Sequence, residues 1–332
     1  MATQMDMDSA AGAASALKLF ELENGVAALN KCDEEIYCFD EGLQRQQLEQ
    51  AAWKKDVRHF QRVEISSVAL VKMVMHARSG GDIEVMGLML GKVVGSTMVV
   101  LDAFALPVEG TETRVNMQSE SYEYMAQYLA QNQASGQNEP VIGWYHSHPG
   151  YGCWLSGIDV ATQMLNQQFQ EPFLAVVIDP KRTMSAGKVD LGAFRTFPED
   201  YQPGKADGGS EAGGFQSVPL EKIEDFGVHA DKYYPLEVSY FKSTLDQKLM
   251  ERLWRKHWVN TLAQSPLIAN SEFTTQKINE VADKINMCGR ERGEGRKGVS
   301  LAQVLRESDA VAEEVAQGHA SYALKKKLFG GA

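Results

Sequence analysis

Two histidines separated by a single residue, His146 and His148, are followed by Pro149 and then, after a short loop, by Ser156 and Asp159. The pattern is H-x-H-x(7)-S-x(2)-D. Zinc binds histidine nitrogens and carboxylate oxygens in a tetrahedral array, and a catalytic zinc keeps one position for water. Histidines at i and i+2 of an extended segment point to the same side, so both can reach one ion. The third ligand is expected from Asp159, at the start of the next helix, with Gly150-Tyr151-Gly152 as the tight turn that returns the chain. Two imidazoles, one carboxylate and a water form a hydrolytic set. Ser156-Gly157-Ile158-Asp159 also fits a capping box, with Ser at the N-cap and an acid at N3. The two roles are compatible.

A hydrolytic water has to lose a proton, and a carboxylate base assists that loss. Glu84 opens the apolar run Glu84-Val85-Met86-Gly87-Leu88-Met89-Leu90. An acid entering such a run is costly to bury without a purpose. It is either that base or an edge-strand charge facing solvent. Ser156 could donate to the oxyanion of a tetrahedral intermediate. Cys153 lies in the same loop, where it could line the site or approach the metal. A nucleophilic role for it would make the histidine pair redundant. His59, His76, His229, His257 and His319 show no ligand spacing.

These residues need elements to hold them. Ser66 or Ser67 can cap a helix carrying Val68, Leu70, Val71, Val74 and Met75, which Ser79-Gly80-Gly81 ends. Two β-rich runs follow, 83–94 and 97–106, with Gly95-Ser96 as a two-residue hairpin turn. A helix is expected over 122–131, a strand over 141–146, a helix from Ser156 to about Gln170, and strands over 173–179 and 188–196. The order predicts an α/β fold, a mixed sheet sandwiched with helices. Residues 1–58 read as an N-terminal extension, partly disordered. Residues 59–200 read as the core domain, 201–218 as a Gly/Pro/Ser-rich linker, and 219–332 as a mainly helical region. Its long amphipathic helices, over 240–261 and 301–328, either pack on the core domain or join an assembly.

The formal net charge of −11 argues against the basic face of a nucleic-acid binder. Four cysteines form no CxxC pair and no framework, which points to reduced thiols inside the cell. The start of the chain lacks a signal peptide's basic and apolar segments. Apolar stretches such as Phe173 to Ile178 are too short to span a bilayer. The expectation is residence in cytoplasm and nucleus, without a membrane partner. A nucleobase deaminase would require His-x-Glu with Pro-Cys-x-x-Cys, and the chain has neither.

Glu84, His146-x-His148-Pro149 and Ser156-x-x-Asp159, in that order, resemble the JAMM motif of the MPN-domain metalloproteases. The likeness continues through Val141 to Asp159, Glu109 to Asn116, and Asp225 to His229, and covers roughly residues 25 to 265. It is similar there to the signalosome branch of that family. Proteasome-lid deubiquitinases share the motif, but the run Leu165 to Pro172 and the helical tail favour the signalosome branch. Non-catalytic MPN scaffolds typically lack a metal ligand, and this chain keeps all of them. The resemblance implies an MPN (JAMM) domain plus a C-terminal helical segment that joins other subunits, with a second MPN subunit as neighbour. It implies a zinc isopeptidase that removes the ubiquitin-like neddylation modifier from cullins. By the match, one Zn2+ sits on His146, His148 and Asp159, Glu84 activates water, and Ser156 supports the oxyanion. An insertion loop, here about 107–134, is implied to occlude the metal. Glu112 would take the water's place, followed by Arg114.

Overall fold

The computed structural model describes residues 14, 15, 17–29, 33–110, 119–199, 201, 218, 219, 222–257, 271–291 and 301–329. Glu112 and Arg114 lie outside the described residues, as does most of the expected linker.

Among the described residues the strands are β1 (Ala27–Ala28), β2 (Arg62–Ser66), β3 (Glu84–Val94), β4 (Thr97–Gly110), β5 (Val141–Ser147), β6 (Leu174–Asp179), β7 (Asp190–Thr196) and β8 (Tyr233–Lys242). The helices before the site are α1 (17–23), α2 (Asp33–Tyr37), α3 (Glu41–Gln50), α4 (Ala52–Lys55), α5 (Ser67–Ser79) and α6 (Ser119–Ala134). Those that follow are α7 (Gly157–Phe169), α8 (Pro180–Ala186), α9 (Ile223–His229), α10 (Thr244–His257), α11 (Ser271–Glu291) and α12 (Leu301–Phe329).

One mixed sheet runs β1-β8-β2-β4-β3-β5-β6-β7, and β7 also pairs with β8. β8 lies parallel to β2, from Arg62↔Glu237 to Ser66↔Phe241, and antiparallel to β7, from Ala193↔Leu236 to Thr196↔Tyr233. The sheet therefore closes on itself instead of remaining an open layer. Strand twist favours this outcome as the strand number grows.

Residues 219–332 are mainly helical among the described residues, but this region also supplies β8 to the sheet, beyond the expected limit of the core domain at residue 200. Tyr234, Leu236, Val238 and Tyr240 alternate toward the large core cluster, the period of a strand. Pro235 within that run argues against a central strand, and the structure seats it opposite Phe194.

The helix α5 starts where a cap was expected. Ser66 Oγ accepts from Ala69 N at 3.1 Å and donates to Leu101 O at 2.7 Å. Leu70, Val71, Met73 and Val74 are buried against the sheet, whereas Met75 is exposed. Gly95 holds φ +60° in the two-residue turn between β3 and β4, a conformation that favours glycine. β4 extends to Gly110, four residues beyond the expected end. Phe104 on β4 stacks on Tyr128 of α6 at 4.1 Å. Among the described residues no helix is long and apolar enough to cross a membrane.

Candidate metal centre

Three elements converge on His146, His148 and Asp159. His146 is the penultimate residue of β5, a strand buried along its full length. Met86 faces it across the β3–β5 ladder. Two residues back along the same face is Glu84, at the start of β3, which the register sets opposite position 148. Ser147 points the other way, and its Oγ accepts from Val85 N at 3.0 Å. His148 lies past the strand, anchored by its own N–H on Ile178 O at 2.9 Å.

The return loop is held by a residue the sequence reading passed over. Asp179, fully buried at the end of β6, accepts from Gly150 N at 3.0 Å and Gly152 N at 2.9 Å. The same carboxylate caps α8 through Lys181 N and Arg182 N. Gly150 and Gly152 sit at φ +96° and +91°. Asp159 then arrives at N3 of α7, within a complete capping box. Its Oδ2 accepts from Ser156 N at 2.9 Å and from Ser156 Oγ at 2.7 Å.

The three donor atoms form a compact triangle. His146 Nε2 and His148 Nε2 are 3.0 Å apart, and Asp159 Oδ2 lies 3.4 Å and 3.5 Å from them. A tetrahedral ion with bonds of about 2.0–2.1 Å separates its ligands by roughly 3.3 Å. All three side chains are buried, and among the described residues they are the cluster able to hold a metal. His148 Nδ1 contacts Gly152 O at 3.1 Å. A carbonyl only accepts, so Nδ1 is a protonated nitrogen and Nε2 is the atom turned to the site. The donor set fits zinc.

Aromatic neighbours fix the imidazole planes. Trp144 stacks on His146 at 4.6 Å, and Tyr151 on His148 at 4.4 Å. Trp144 Nε1 is in turn held by Gln163 Oε1 at 2.8 Å. The Tyr151 hydroxyl donates to Glu84 Oε1.

The electrostatics follow from burial and crowding. Burial pushes the Glu84 carboxyl up, and the imidazoles of His148 and His146 draw it back only in part. Burial also opposes charge on Asp159, but His146 and His148 outweigh it and hold this carboxyl well below the usual range. Burial works against a charged His146 too, and the Asp159 carboxylate overcomes it, raising the imidazole.

The remaining candidates are placed as follows. Ser156 spends its hydroxyl proton on Asp159. Cys153 is buried outside the metal cluster, where burial and the Asp190 and Asp179 carboxylates push its thiol well up. That environment suits packing and not nucleophilic attack. Tyr151 and Asp179 had weak signals: an aromatic between two glycines, and an Asp-Pro pair ending a buried strand.

A sequence model of the JAB1/Mov34/MPN/PAD-1 ubiquitin protease family matches residues 58–172. The COP9 signalosome complex subunit 5 of Drosophila melanogaster is 53% identical over 321 residues, covering 95% of this chain and 97% of the relative. The chain belongs to this subunit 5 family. The namesake subunit of Dictyostelium discoideum is 50% identical, with 96% of each chain covered. That of Oryza sativa is 51% identical, over 97% of this chain and 93% of the relative. The matched stretch 58–172 holds Glu84, both histidines, Ser156 and Asp159. It stops short of β6, β7 and β8, which complete the sheet in this family member.

Proposed function

We propose that the chain is a zinc-dependent isopeptidase, the catalytic subunit of a signalosome, acting on cullins joined to a ubiquitin-like neddylation modifier. The observation that supports this best is the buried triangle of His146, His148 and Asp159 with Glu84 on the same face. Family membership supports the assembly and the partner subunits. We place the protein in cytoplasm and nucleus, and assign its contacts with other subunits to the C-terminal helices and the MPN domain.

His146 Nε2, His148 Nε2 and Asp159 Oδ2 would hold the ion. Bound there, zinc supplies Lewis-acid polarisation of the scissile carbonyl and a lowered pKa for water. Glu84 takes the proton of the attacking water and passes it to the departing lysine amine. Its raised pKa brings the base nearer to neutral pH, where accepting and returning a proton are both accessible. Ser156, at the N-cap of α7, orients Asp159 through two hydrogen bonds. A turn of its hydroxyl away from Asp159 would supply a donor to the developing oxyanion, a contribution of roughly 3 kcal/mol in other hydrolases. Glu112 and Arg114, in the proposed insertion loop, would restrain the site until a partner moves them.

Two variants in the assembled complex test the assignment. Asp159→Asn should lose zinc, measured by mass spectrometry, and turnover together. Glu84→Gln should keep zinc and lose turnover by roughly 10²–10⁴-fold, the range of general acid–base catalysis. Normal turnover by Glu84→Gln would remove the base assignment. Parallel assays on cullin-linked modifier and on ubiquitin chains decide the substrate.

A further inference from the structure

The run Asp225 to His229 lies beyond residues 58–172, the stretch that the family model matches, and the chemistry above makes no use of it. It falls on α9. Together with the start of β8 it covers the link between the metal loop and α7. Phe226 meets the buried Trp154 edge-on at 5.7 Å. The Tyr233 hydroxyl accepts from Leu155 N at 3.3 Å, and Asp225 Oδ1 accepts from Gly157 N at 3.3 Å. His229 Nε2 lies 3.5 Å from the same Asp225 oxygen. Gly157 permits this approach, since a Cβ there would stand 2.4 Å from His229 Nε2. It is also the first residue of α7, where a backbone N–H has no acceptor within its own helix. Asp225 supplies that acceptor, and its negative charge suits this end of the helix dipole.

The residue between these two anchored amides is Ser156. Its hydroxyl donates to Asp159 Oδ2 at 2.7 Å and accepts from Asp159 N at 3.3 Å. A turn toward substrate gives up the first of these bonds. The amides on either side do not depend on it, because Tyr233 and Asp225 hold them from another part of the chain. When the water oxygen bonds to the carbonyl carbon, the C=O electron pair moves onto the carbonyl oxygen. When the C–N bond breaks, that pair returns and the amine leaves with the proton from Glu84. Ser156 meets the transient charge only if its backbone stays fixed while its hydroxyl turns. We propose that Asp225 and Tyr233 are positioning residues for this reaction, clamping the backbone on both sides of Ser156 so that its hydroxyl reaches the oxyanion. The proposal rests on the isopeptidase reading above and adds to it what keeps the oxyanion donor in register.

Two variants are compared with the parent in the assembled complex. Asp225→Leu removes the acceptor at a side chain that is 41% exposed. Tyr233→Phe removes one oxygen and keeps the ring's edge contact with Phe194 at 5.3 Å. Each should lower kcat about tenfold, with KM and zinc content within about twofold, because a misplaced donor weakens a contact made only in the transition state. Asp225→Asn keeps an oxygen acceptor and should hold kcat within about threefold of the parent. Added to Ser156→Ala, and read in single turnover with enzyme in excess, neither change should slow the reaction by more than a further factor of about two. Unchanged kcat in either variant, a loss that follows zinc content, or the same loss on Ser156→Ala overturns the positioning role while the hydrolase reading stands. A parent complex inert on cullin-linked modifier removes the hydrolase reading and the proposal with it. A second measurement needs no turnover: amide hydrogen exchange of the full chain. Asp225→Leu should speed exchange over residues 155–157 by about tenfold and leave β5 protected. Equal protection over 155–157 overturns the clamp.

Discussion

Asp159 serves a helix and a candidate metal site with one carboxylate. The oxygen that closes the capping box is the one that faces both imidazoles. Without an ion, ionised Asp159 and charged His146 hold each other. The His146 pKa is raised above 6.5, so its contribution is complete below that value and fades as pH climbs through the raised one. Asp159 is depressed below 3.8, so its contribution is present above that value and vanishes only in strong acid. Chelator-treated protein should therefore lose thermal stability as pH rises above about 6.5, and Asp159→Asn should flatten that slope. With zinc bound the trend inverts, because the ligands bind deprotonated and metal affinity adds to folding stability. Calorimetry across this range, with and without chelator, checks both slopes; an identical slope in Asp159→Asn would remove the pair. The ligands were legible from sequence because i, i+2 spacing and a helix start are local facts. The Tyr151–Glu84 bond was not, since those residues lie 67 positions apart.

At the scale of elements, the centre depends on Asp179 joining β6, α8 and the loop after His148. One carboxylate satisfies Gly150 N, Gly152 N, Lys181 N and Arg182 N. Asp179→Ala strips the loop's donors of partners inside the protein, at a cost on the order of 3 kcal/mol. The variant should unfold earlier in urea and bind zinc more weakly, since His148 Nδ1–H donates to Gly152 O in that loop. Unchanged zinc affinity in a destabilised variant would confine Asp179 to stability alone. The hairpin at Gly95-Ser96 and the caps at Ser66 and Ser156 were readable, because turn and cap chemistry is written in adjacent residues. Asp179 carried only the weak signal of an Asp-Pro pair, and its hold on Gly150 and Gly152 depends on sheet pairing that no local pattern encodes. β8 escaped for the opposite reason: Pro235 breaks a pattern that tertiary packing restores.

At the scale of the whole molecule, closure of the sheet joins residues far apart in sequence. Val63 and Ile65 of β2 are fully buried beside β8, and Leu236 of β8 is buried beside β7. A chain ended at residue 200 would leave β2 and β7 with unpaired edges, a template for aggregation. Chains ending at 200 should be insoluble or unprotected in amide exchange, and chains ending at 257 should show a cooperative transition. A cooperative fold from the shorter chain would show β8 to be dispensable. Farther along, Lys284 and Glu307, each 1% exposed, pair inside the α11–α12 packing, and Lys284 also holds Val218 O. These contacts tie the C-terminal helices to the chain just before α9.

The place of β8 in the chain also sets a schedule. When a ribosome has released the first two hundred residues, Glu84, both imidazoles and Asp159 are already outside, yet the barrel that would seat them lacks its closing stave. The candidate site can be set firmly only after residue 242 clears the exit tunnel, so the proposed activity is withheld until biosynthesis is well advanced.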